Sequence, residues 1–148
     1  MKKVIYLLFL IPFVFISCSK DNKDVDQRDD YVGNWNQDAI GSLSLVQDGN
    51  LIATMPISAN STDLQVTKSG TDKLIIDGMS ATVSGTKLII ESDTQTQTQN
   101  GLTMTVTTSY SGTLAKNMIT IKEAYSGFWS QTGFEGTITG NTVYTFTK

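Results

Sequence analysis

Catalysis needs nucleophiles, proton carriers or metal ligands held close together, and this 148-residue chain has few of them. It contains no His and a single Cys, Cys18. Without imidazole, Ser-His-Asp and Cys-His catalysis are excluded, along with the commonest transition-metal ligand. One thiol cannot close an internal disulfide or build a thiolate zinc site. Carboxylates remain: Glu91 and Asp93 near one strand end, and Glu123 and Glu135 on either side of Trp129. Glycoside hydrolysis would need two of them facing one cleft at about 5–9.5 Å. Their sequence spacing defines no such pair, and solvated strand-end charges are the simpler reading. EF-hand, P-loop and Gly-x-Ser-x-Gly patterns are absent. No catalytic residue, metal site or cofactor is therefore expected, and the chain reads as a binder rather than an enzyme.

The residues best suited to recognition are aromatic. Tyr125, Phe128, Trp129 and Phe134 fall within one Gly-bracketed stretch, Tyr125-Ser-Gly-Phe-Trp-Ser-Gln-Thr-Gly-Phe134. Read as an open loop between two strands, it could stack on a sugar or cover an apolar ligand at a barrel mouth. Folded inward, the same rings would only plug a core. Met55, Met79, Met104 and Met118 pose the same choice between a pliable cavity lining and irregular core filling. Fourteen acidic against eleven basic residues give a net charge of −3, which lacks the basic footprint of a nucleic-acid binder.

The N-terminus is an address. Met1-Lys2-Lys3 precedes a short apolar run over 4–16, broken at Pro12. About 13 apolar residues fall short of the roughly 20 that span a bilayer as a helix. A basic start, a short apolar run and a small residue before the cut read as an export signal over 1–17. Phe15-Ile16-Ser17-Cys18 resembles the bacterial lipobox. That resemblance implies cleavage before Cys18 and acylation of its thiol, tying the protein to a membrane. Residues 18–30 hold almost no apolar side chains and should form a flexible charged tether. Ser19 is not the Asp that commonly retains lipoproteins in the inner membrane. Lys20-Asp21 with Asp24 resembles the charged export segment of Bacteroidetes surface lipoproteins, which implies display on the exterior of the outer membrane.

Residues 31–148 must position whatever recognition exists, and their pattern has period two. Leu102, Met104, Val106 and Tyr110 alternate with Thr and Ser, so one strand face suits a core and the other suits water. Thr favours the pleated surface over a helix. Turn-then-strand units recur, as in Ser69-Gly70-Thr71-Asp72-Lys73-Leu74 and Ser84-Gly85-Thr86-Lys87-Leu88. Nine to eleven short strands are predicted, with the polar run 94–101 as a hairpin tip. So many antiparallel strands need closure, which favours a sequential meander rolled into a barrel over a two-layer sandwich.

Gly33-Asn34-Trp35 at the start of the first strand resembles the entry motif of lipocalins and lipocalin-like Bacteroidetes lipoproteins. The resemblance implies a barrel whose base is closed by Trp35, with a basic residue from the last strand across its ring. Lys148 is the basic residue at that end. It also implies a small apolar or glycan-like ligand. The alternative is a filled barrel acting as a subunit of a surface complex.

Overall fold

The computed structural model describes residues 26–148. The segment expected as a signal, 1–17, and residues 18–25 of the expected tether, Cys18 among them, lie outside the described residues. The rest is all-β. Nine antiparallel strands run in chain order: β1 Gly33–Gln47, β2 Asn50–Ser69, β3 Lys73–Ile76, β4 Met79–Ser84 and β5 Lys87–Ile89. They continue with β6 Asp93–Gln99, β7 Leu102–Ala115, β8 Met118–Gln131 and β9 Phe134–Thr147.

Each strand pairs with its sequence neighbour, except that β5 passes to β7, and β9 returns to β1. Eight strands thus close a ring, with β6 added along β7. β5 and β6 are nearly one strand lying end to end on the same side of β7. Lys87 and Leu88 face Thr113 and Gly112, while Asp93 to Gln99 face Thr108 to Leu102.

Closure is confined to one end. β3 pairs only with Val66–Ser69 of β2. Residues 50–63 of β2 and the outer side of β6 have no further strand beside them among the described residues. The lower half is therefore a closed barrel, and the upper half is a curved sheet, β2-β1-β9-β8-β7-β6, with a gap between its two edges. This is the feature that makes room for a site.

Several segments expected as separate strands are continuous. β1 and β9 run unbroken through Gly41 and Gly140. Both glycines sit where strands press together. A Cβ on Gly41 would strike the Asn141 carbonyl, and one on Gly140 would strike that of Ser42. They mark bends within strands, as glycine does at tightly curved sheets. The run 94–101 also differs from the expected tip: most of it is β6. Its register is held by hydroxyl pairs Thr94–Thr107 (2.9 Å), Thr96–Thr105 (2.9 Å) and Thr98–Thr103 (3.0 Å). The turn itself is Asn100-Gly101, both at positive φ (52° and 79°), the conformation a two-residue hairpin needs.

The lower half is solid. Val66, Leu74, Ile76, Ala81, Leu88, Leu114, Ile119, Ile121 and Phe146 pack around Trp35, which is 1 % exposed. Its indole Nε1 donates to the Tyr31 carbonyl at 2.9 Å. Lys148 Nζ lies 4.9 Å from the Trp35 ring centroid and donates to the Asp30 carbonyl at 2.7 Å. Gly33 enters β1 at φ 129°, which side chains resist.

Part of the segment expected as tether is ordered. Residues 26–30 fold against the barrel base, with a 3-10 turn at Asp29–Tyr31. Arg28 anchors them: it is buried, pairs with Asp26 at 2.7 Å, and donates to the carbonyls of Gly70 and Lys73, both at 3.1 Å. Lys68 adds ion pairs to Asp26 and Asp29. Hydrogen bonding and charge from Arg28 hold the Asp26 carboxyl well below the usual carboxylate range. The charges that read as solvating a linker instead clamp the chain to the β2–β3 turn.

Candidate functional site

Pairing register sorts the interior into layers, since directly paired residues share a face. Gln37, Phe146, Ile119 and Leu114 form one layer, and Ala39, Tyr144, Ile121 and Gly112 the next. Above them the chemistry changes: Gly41, Thr142, Glu123 and Tyr110 share a level. Higher still come Leu43, Gly140, Tyr125, Thr108 and Asp93, then Leu45, Ile138, Gly127, Val106 and Gln95. The apolar plug therefore ends at a polar floor.

Glu123 is the centre of that floor and is only 9 % exposed. Its Oε2 accepts hydrogen bonds from the hydroxyls of Tyr125 and Tyr144, the latter at 3.0 Å. The Tyr125 hydroxyl also lies 3.0 Å from Thr142 Oγ1. Burial, reinforced by Glu123, pushes the phenols of Tyr110, Tyr125 and Tyr144 above their ordinary value, Tyr144 furthest. They stay protonated donors at neutral pH. No salt bridge among the described residues reaches Glu123. Its hydrogen-bond partners among the described residues are thus neutral phenols only.

Above the floor lies a cavity of about 220 Å³. Leu43, Met104 and Val106 supply its apolar walls, Tyr110 and Tyr125 its base, and Asp93, Gln95 and Gln97 of β6 its polar side. Gly140, beside Tyr125 and Leu43 in register, adds no side chain there. A second cleft of about 390 Å³, containing Lys73, Met79, Ile90 and Glu91, shares Asp93 and Tyr110 with the first. Apolar walls converging on a few oriented polar groups are the usual make-up of a small-molecule site.

The aromatic stretch does not form an open loop. Residues 118–131 are continuous strand, so alternation sends its members to opposite faces. Tyr125 and Trp129 point inward. Trp129 is 7 % exposed and packs against Gly136, with Nε1 3.4 Å from the Val46 carbonyl. Phe128 stands on the outer face, 69 % exposed and paired with Thr105 and Thr137, and together with Trp129 it lines an open hollow of about 550 Å³. Phe134 is exposed at the start of β9. Of the four, only Tyr125 lines the interior cavity. Met104 lines it as well, whereas Met55 and Met118 are exposed.

Glu123 reads in the sequence as a solvated strand-end charge, whereas it is buried in the middle of β8; Tyr144 carries no sequence mark, but for Glu123 a signal exists. Glu123 falls on the same period-two face as Ile119, Ile121 and Trp129, and an acid on a core face is itself unusual.

No family model matches the chain, and neither a curated protein nor a solved structure matches it.

Proposed function

We propose that the protein is a lipid-anchored binding protein of the cell envelope, held by acyl chains on Cys18 and exposed on the outer-membrane exterior. Its lipocalin-like barrel takes up a small, largely apolar ligand in the open half and does not convert it. The observation that carries this reading is the change of character along the interior. Side chains fill the lower half, while the 220 Å³ cavity above the Glu123 floor is left open by the missing strands between β2 and β6. A volume below the roughly 300 Å³ of drug-sized sites suits a small molecule or the head of a longer one.

Methyl-resolved NMR tests it, with hexanol as the probe. Leu43, Val106 and Met104 methyl signals are expected to shift on titration, while Ile119 and Ile121 in the solid half stay still. Silence at all three cavity methyls would remove the pocket. A second reading comes from Phe128, whose exposed ring between Thr105 and Thr137 offers a face for sugar stacking. Titration with cellotetraose reads that alternative: shifts confined to Thr105, Phe128 and Thr137 would move recognition to the outer face.

A further inference from the structure

We propose that the ligand of this cavity is an organic cation, an ammonium head carrying a short apolar tail; the inference rests on the pocket reading above. Every titratable group that lines the cavity is an acid or a phenol: Asp93, Tyr110 and Tyr125. Glu123 stands directly behind Tyr125 and takes up that hydroxyl's proton-donating capacity, along with that of Tyr144. With the Tyr125 proton turned toward the carboxylate and the Gln95 amide donating to Asp93 at 2.8 Å, the charge beside the cavity is negative, and its remaining donors are the neutral side chains of Gln97, Thr108 and Tyr110. No Lys or Arg lines it. Lys73 lies in the adjoining cleft beside Glu91 and forms no salt bridge with Asp93.

An anion would therefore meet negative charge with no compensating cation, and a neutral ligand would leave Glu123 uncompensated. A cation satisfies both. Its charge sits against Tyr110 and Tyr125, with Asp93 on the β6 side, and ring faces attract a desolvated ammonium. Its tail then runs along Leu43, Val106 and Met104. Gln95 and Gln97, from the same face of β6, supply amide oxygens at the rim.

The test compares hexyltrimethylammonium, hexanol and hexanoate by calorimetry and by the cavity methyl shifts. The ammonium is expected to bind at least about tenfold tighter than hexanol, and hexanoate more weakly than either. Asp93→Asn should weaken the ammonium about fivefold and leave hexanol unchanged. Glu123→Gln should do the same, with unchanged thermal unfolding as its control. Asp93→Asn lies on an exposed strand residue and keeps the test independent of that control. Equal or tighter binding of hexanol, or indifference of the ammonium to Asp93→Asn, would overturn the cation while leaving the pocket standing. If none of the three probes moves Leu43, Val106 or Met104, the pocket falls and the cation with it.

Discussion

Trp35→Ala is expected to destabilise the protein by about 3–5 kcal/mol, the loss seen when a large aromatic is removed from a packed core. Trp35 is fully buried at the centre of the lower cluster, touched by strands from both sides of the closure. Its removal leaves a cavity that rigid strands cannot collapse, and it frees the Tyr31 carbonyl and the Lys148 ammonium from their partners. Urea unfolding of the purified protein should show a lower midpoint with an unchanged slope. Trp35→Phe keeps most of the volume and should lose clearly less. A loss under 1 kcal/mol for Trp35→Ala would mean that the lower half is not the solid base on which the open half depends.

Cys18→Ala is expected to move the protein from the membrane fraction almost completely. Each buried CH₂ of an acyl chain contributes about 0.8 kcal/mol, so one chain binds marginally and two or three bind firmly. The variant should also retain residues 1–17, since signal removal of this kind depends on the modified Cys. Fractionation with intact-mass analysis reads both outcomes. A Cys18→Ala protein recovered in the membrane at its normal, processed mass would refute the anchor.

The fold could be read in the sequence wherever alternation was clean. Leu102, Met104 and Val106 against Thr103, Thr105 and Thr107 define β7 and its two faces without further information. Gly33, Trp35 and Lys148 are also placed together at the base of the barrel. Glycine is the hardest residue to place from sequence, because it serves two physical purposes. Gly101 and Gly133 are at turns with positive φ, whereas Gly41, Gly127 and Gly140 lie inside strands where backbones approach too closely for a side chain. Local sequence does not distinguish these, since the close approach is made by a neighbouring strand. The same ambiguity makes residues 125–134 read as an open loop, whereas 118–131 are continuous strand, with Phe128 and Trp129 of opposite faces still bordering one hollow at its end.

The site was less legible than the fold. Tyr125 was visible as an aromatic near a strand, yet its partner Thr142 is 17 residues away and Tyr144 reaches Glu123 across 21. Such a floor exists only once β8 and β9 are in register. Asp93 read as a strand-end charge, and it is indeed the first residue of β6. What the sequence could not convey is that the neighbouring strands β3 and β4 are too short to cover it. Their short length, four and six residues against twenty in β2, opens the upper half.

On the proposed function, this open half holds a small molecule in the living cell. Native mass spectrometry of the protein released from membranes of its own host tests it most directly, alongside a Val106→Trp variant that fills the cavity. The expected result is a non-covalent mass increment on the wild-type protein that vanishes in Val106→Trp while the fold is retained. Wild type and variant both flying at their bare covalent masses would contradict it.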